Sequence, residues 1–164
     1  MTRCLRSALF VGALLVCPWG IAAATATIVP EHGIAGITLR MTQNQVRAHL
    51  GKPTKITRSH GALGSVVTRL HYPTLDVDVQ VLNGKNIVTR VLTTSSTEHT
   101  TSGVGVGSPL AAVKRLSGVH CWWEASSHYC ALGDRAKPLS YQTLFWIGPK
   151  QRVTLVSVSL TVNS

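Results

Sequence analysis

Carboxylates are scarce in this 164-residue chain, where six Asp and Glu stand against sixteen Lys and Arg for a formal net charge of +10. That scarcity argues against chemistry built on paired carboxylates, since Asp76 and Asp78 share a strand face and read simply as solvated residues. Nucleophile signatures are missing too, because the serines and histidines fall in no nucleophile-elbow pattern. Gly103-Val104-Gly105-Val106-Gly107 lacks the third glycine spacing of a dinucleotide fingerprint and the lysine of a phosphate-binding loop. No catalytic residue and no cofactor are expected. Aromatic residues make up 5% of the chain. After residue 26 no segment is long and apolar enough to span a bilayer.

What is present at the start is a targeting segment. Arg3 and Arg6 precede an apolar stretch from Leu9 to Val16, and Ala24-Thr25-Ala26 has the small-x-small pattern of a signal peptidase site. Residues 1–26 therefore read as a signal peptide, and the protein as secreted or periplasmic. Leu14-Leu15-Val16-Cys17 resembles a lipoprotein processing site, with bulky Val16 where Gly or Ala is expected, so a lipid-anchored envelope protein is the alternative.

Beyond the signal only Cys121 and Cys130 remain. Two cysteines nine positions apart in an exported chain predict one disulfide, a staple for one hairpin or loop. His120 and His128 stand beside them, and zinc accepts such ligands. Export favours the disulfide, and adjacent His120 and Cys121 converge poorly on one ion, so no metal is expected.

Setting Arg3 and Arg6 aside leaves a net charge of +8, spread through the chain with Lys52, Lys55 and Arg58 as the nearest thing to a cluster. Such a balance attracts acidic partners: an extracellular or envelope protein first, an anionic wall polymer or lipid surface as the other possibilities. No nucleic-acid-reading motif is present, and nucleic acid is not an expected partner.

The chain also repeats itself. Gly36-Ile37-Thr38-Leu39-Arg40-Met41-Thr42 leads through Gln45-Val46-Arg47-Ala48 to Leu50-Gly51, and Gly103-Val104-Gly105-Val106-Gly107-Ser108-Pro109 leads through Ala112-Val113-Lys114-Arg115 to Ser117-Gly118. Tyr72-Pro73-Thr74-Leu75 matches Tyr141-Gln142-Thr143-Leu144 further on. The expected organisation is a lead-in over 27–35, repeat 1 over 36–102 and repeat 2 over 103–164.

Each repeat is expected to open with a helix. Thr42 and Gln45 form a capping-box pattern before Val46 and Leu50, and Gly51 and Pro53 stop the helix. Ser108 and Pro109 suit a second start before Val113 and Leu116, with Gly118 as the stop. Strands follow at 66–70, at 75–81 with alternating valines and polar residues, and at 87–92 after the Asn83-Gly84 turn signal. The second set is expected at 143–147 and 153–162. The fold class predicted is α+β: two tandem helix-plus-antiparallel-sheet repeats forming one saddle-shaped domain, helices on the apolar face and the polar sheet face open.

Aligning Leu75 with Leu144 puts Trp146 inside with Val77, and puts Phe145 outside with Asp76 as an aromatic contact residue. Trp122, Trp123 and Tyr129 lie in the stapled segment, with one of the two adjacent tryptophans expected in the core. The partner-binding candidates are thus Trp122, Trp123, Tyr129, Tyr72, Tyr141 and Phe145.

The stretch Gly-Ile-x-Leu-x-Met-Thr-x-x-Gln-Val-x-x-x-Leu-Gly-x-Pro, Gly36 to Pro53, resembles the helical entry of small envelope proteins of the BamE/SmpA type. Two such units in tandem, in an exported chain with a disulfide in the second, resemble the β-lactamase inhibitory protein family. The resemblance implies a saddle whose concave sheet face grips another protein, and names no target. The functional expectation is a secreted, non-catalytic, inhibitor-like protein-binding module; the alternative is a structural envelope (lipo)protein of the BamE/SmpA type.

Overall fold

The computed structural model describes residues 27–61, 65–134 and 139–161. The expected signal peptide, with Cys17, lies outside the described residues. Eight strands form one antiparallel sheet: β4 (Lys55–His60), β5 (Val66–His71), β6 (Asp76–Leu82), β7 (Lys85–Thr93), β8 (His120–Glu124), β9 (Ser127–Leu132), β10 (Tyr141–Gly148) and β11 (Arg152–Leu160). Their spatial order is β4-β5-β6-β7-β11-β10-β9-β8. Two four-stranded meanders thus meet along their last strands, with Val91 opposite Val158 at the seam.

A small three-stranded sheet of β1 (Ile28–Val29), β2 (Gly33–Ile34) and β3 (Ile37–Thr38) precedes α1 (Gln43–Leu50), and α2 (Leu110–Val113) precedes β8. The protein is therefore mostly β. The expected α+β fold of two helix-plus-sheet repeats in a saddle is corrected: among the described residues α-helix is confined to two short segments, with a single 3-10 turn at Pro149–Gln151, and the dominant element is a single continuous sheet. The residues after each helix explain this, being rich in Val and Thr that fit a pleated, half-buried surface.

The helix starts behave differently. Thr42 makes a complete capping box with Gln45, and α1 ends, as the sequence predicts, at Gly51, whose φ of 79° and ψ of −154° favour glycine. At α2 the Ser108 hydroxyl accepts instead from the Gly105 N–H, 3.0 Å away. Pro109 holds the cap position with no side-chain bond, and the helix is one turn long. Beyond it the chain continues in i to i−3 bonds, from Arg115 to Ala112 and from Leu116 to Val113.

One face of the large sheet is the core. Leu70, Val77, Val79, Val91, Val156, Val158 and Phe145 pack there against Val46, Val113, Ile28, Ile34 and Ile37. The lead-in is thus structural, since its isoleucines cover the sheet as much as the helices do.

Register on β10 is the second correction. Phe145 is 0% exposed and Ile147 is buried, whereas Trp146 is 40% exposed and Leu144 is half-buried. Phe145 pairs with Val156 and Cys130, both core residues, while Trp146 pairs with Leu155 and Tyr129. With a side-chain period of two, a one-residue slip in the assumed alignment moves every residue to the opposite face. Phe145 is a core residue, not a contact residue.

Candidate functional site: the outer sheet face

The outer face is built from alternate residues of every strand. Strand pairing sets Leu92, Ser157, Leu144, Ala131 and His120 in one row across the sheet. The next row carries Leu155, Trp146, Tyr129 and Trp122. Cross-strand neighbours on one face lie close enough for aromatic rings to meet. Here His120 stacks on Trp122 with ring centroids 5.8 Å apart, and Trp122 stacks on Tyr129 at 5.7 Å. Tyr129 meets Trp146 edge to face at 5.6 Å. Four rings therefore form one continuous band.

Two clefts flank this band. One of about 260 Å³ is lined by Trp122, Glu124, Tyr129, Gln142, Leu144 and Trp146. The other, of about 660 Å³, shares Trp122 and Gln142 with it and adds His120 and Ala131. Trp122 is the ridge between them, and its indole N–H points to Glu124 at 3.4 Å.

At the other end of the same face the polarity is opposite. Asp78 is 1% exposed and held by two arginines from the flanking strands. Arg69 Nε and Nη2 donate to its two carboxylate oxygens at 2.6 and 3.0 Å, and Arg90 Nε donates at 2.8 Å. Burial pushes the Asp78 carboxyl up, but the Arg69 hydrogen bond and the Arg90 charge outweigh it and hold the group below its ordinary range. The hydrogen bond to Asp78 in turn raises Arg69, against its own burial. A register shift between Asp78 and Val79 helps to bury both residues, as a bulge re-aims the side chains around it. Asp78 is thus not the solvated residue the sequence suggested.

Beside this clamp His71 Nδ1 lies 2.8 Å from Asp76 Oδ1, and its Nε2 lies 3.0 Å from the Thr57 hydroxyl. The order carboxylate, imidazole, hydroxyl is that of a nucleophile relay. Of the three, Asp76 alone lines the neighbouring cleft of about 150 Å³, which Arg69, Tyr72 and Leu155 also line, and neither Thr57 nor His71 lines that cleft or the two beside the aromatic band.

Of the six sequence candidates, the structure brings together Trp122 and Tyr129. Trp123 points to the opposite face, 64% exposed and stacked on His128 at 4.5 Å, so neither adjacent tryptophan joins the core cluster. Tyr72 is buried in the first half, its hydroxyl 3.4 Å from the Gly51 carbonyl. Tyr141 lies on the core side of β10 with Arg40 over its ring at 5.7 Å. Trp146 and His120 complete the band; the strand alternation that exposes Trp146 was obscured by the unbroken apolar run Leu144-Phe145-Trp146-Ile147.

Cys121 and Cys130 are bonded and face each other directly across β8 and β9. The bridge closes a hairpin, and because Cys130 belongs to the buried core it is more than a loop staple. His128 has a ring nitrogen within 4.8 Å of both sulfurs, and its Nδ1 is buried with no hydrogen-bond partner among the described residues. With the sulfurs joined to each other, no thiolate is left for an ion. Replacing both cysteines by alanine is expected to cost about 2–3 kcal/mol, near the chain-entropy value for a loop of this size. Chemical denaturation with hydrogen exchange checks it: β8 and β9 should lose protection before β6, β7 and β11.

No family model and no curated protein matches the chain. Among solved structures it is similar to a DUF4309 family protein from Bacillus subtilis, at 14% identity and a TM-score of 0.47, covering 84% of this chain and 90% of that one. A cysteine-rich secretory protein from Staphylococcus aureus aligns at 11% identity with a TM-score of 0.46, covering 82% of this chain. An extracellular protein containing an SCP domain from Bacillus anthracis aligns at 14% identity with a TM-score of 0.45, covering 74%. The chain spans 48% and 43% of the lengths of these last two. None of the three is described as a β-lactamase inhibitory or BamE/SmpA protein. No helix among the described residues is long and apolar enough to cross a membrane.

Proposed function

We propose that the protein is a secreted, non-catalytic binding module that holds an acidic extracellular or envelope protein on the outer face of its sheet. The observation that carries this reading is the aromatic band His120-Trp122-Tyr129-Trp146, raised on a rigid sheet between two clefts. Large rings with few rotors lose little entropy on binding and dominate interface energetics. The surplus of basic residues supplies steering toward an acidic surface.

Export by cleavage after Ala26 is part of the same proposal. Intact mass of the exported protein tests it, since a chain starting at Thr27 supports secretion and a diacylated Cys17 supports a lipid-anchored envelope role instead.

The binding surface is tested by capture from culture medium and cell surface on immobilised protein. Trp122→Ala/Trp146→Ala is expected to weaken capture of an acidic protein by about thirtyfold or more, in line with the loss of hot-spot aromatics. Trp123→Ala, on the opposite face, is expected to leave it unchanged. Equal capture by wild type and the double variant contradicts the proposal, as does binding that vanishes at moderate salt, which indicates charge alone.

A further inference from the structure

The large sheet ends on two open strands, β4 and β8, of opposite character. β4 carries Lys55 and Arg58 within six residues, two positive charges on an edge strand that oppose pairing with another copy of itself. β8 reads His-Cys-Trp-Trp-Glu, with one basic and one acidic end around an aromatic middle. Among the described residues it pairs with β9 and with no other strand.

The direction of its free backbone groups follows from the hairpin. Ala125 and Ser126 form a two-residue turn closed by the pair Glu124 and Ser127. Such a closing pair exchanges hydrogen bonds, and the pattern then alternates along the ladder. Cys121 opposite Cys130 is therefore a non-hydrogen-bonded pair, and its Cα–Cα distance of 4.0 Å fits the closer spacing of that class. Trp123 opposite His128 belongs to the same class. The N–H and C=O groups of Cys121 and Trp123 accordingly point away from β9, out of the sheet edge.

We propose that this edge pairs with β8 of a second copy, antiparallel, about a two-fold axis through Trp122. In that register Cys121 of each copy faces Trp123 of the other, which joins the residues whose backbone groups point outward. Trp122 faces Trp122 of the second copy at a non-hydrogen-bonded position, where side chains come closest and aromatic pairs are favoured. His120 of each copy falls opposite Glu124 of the other, setting an imidazole against a carboxylate twice. Moving the axis to Cys121 or to Trp123 also matches the backbone groups, but opposes His120 to Trp122 or to Ser126. The placement of an imidazole that can donate a hydrogen bond and a carboxylate that accepts one at the two ends of β8 thus selects both the occupant, a second copy of this chain, and the register. The aromatic bands of the two copies would then run into one across the axis, a consequence that stands independently of what the band binds.

Sedimentation velocity of the exported protein over a range of concentrations tests this. The expected result is a reversible monomer–dimer equilibrium that His120→Glu or Glu124→His alone weakens about tenfold or more, because two symmetric pairs become repulsive or are lost. The exchange His120→Glu/Glu124→His restores it. Trp123→Pro, which removes an outward N–H, abolishes the dimer while thiol titration still finds the Cys121–Cys130 bond formed. A single monomeric species up to about 1 mM overturns the proposal, as does a dimer that neither single charge change weakens.

Discussion

Phe145→Ala is expected to cost about 3–5 kcal/mol, a large share of the stability of a domain this size. Phe145 is fully buried between Val156 and Cys130 on the core face, and truncating it leaves a cavity that neighbouring β-branched side chains on fixed strands cannot close. Trp146→Ala, one residue on, removes a larger ring but is expected to cost clearly less, about 1–2 kcal/mol, because that ring stands on the solvent side, 40% exposed, with Tyr129 edge to face against it. Urea denaturation of the two variants side by side reads the difference. Equal costs would mean that β10 does not divide its aromatics between core and solvent.

Asp78→Asn is expected to destabilise by about 2–4 kcal/mol. Removing one member of a buried charged cluster leaves its partners uncompensated, which costs about 3–5 kcal/mol for fully buried ions. Arg69 and Arg90 are only partly buried, so water screens part of that loss. The two guanidiniums, drawn together across β5, β6 and β7 by one carboxylate, would face each other as like charges. The effect depends on pH with a definite sign. Asp78 titrates below its ordinary range in the folded protein, so its contribution is complete above the unfolded carboxylate pKa of about 3.9 and is lost as pH falls through the folded value. The gap between wild type and Asp78→Asn should therefore be constant near neutrality and close in acid. A gap that persists unchanged at pH 2 would show that the carboxylate's charge is not what the arginines hold.

Phe145 and Asp78 both owe their surroundings to strands distant in sequence. Features encoded locally were legible: the Thr42 and Gln45 capping box, the Gly51 stop, and the Asn83-Gly84 hairpin whose two residues take φ of 51° and 73°. The cysteine pair was legible as well, because reading residues 1–26 as a signal peptide leaves Cys121 and Cys130 as the two cysteines that can pair. What failed depended on contacts between distant segments. In Leu144-Phe145-Trp146-Ile147 no polar residue alternates, so the face of each ring is set only by pairing with β9 and β11. Asp78 looks like any polar residue on an alternating strand until Arg69 and Arg90 are placed beside it. β4 was missed because an exposed edge strand, Lys-Ile-Thr-Arg-Ser-His, carries no apolar alternation to read. The second helix was overestimated since Ser108 bonds backwards to Gly105, a choice its own sequence does not reveal.

The candidate surface depends on the same register, because only a β10 that turns Trp146 outward extends the band beyond Trp122 and Tyr129. Acrylamide quenching of the protein expressed from Thr27 onward and carrying Trp122→Phe/Trp123→Phe isolates Trp146 as the one tryptophan reporter. Red-shifted emission and ready quenching are expected in the folded protein, as befits a ring 40% exposed on an open sheet face. Blue-shifted emission that acrylamide reaches only after unfolding would place Trp146 in the core and remove the band on which the proposed binding face rests.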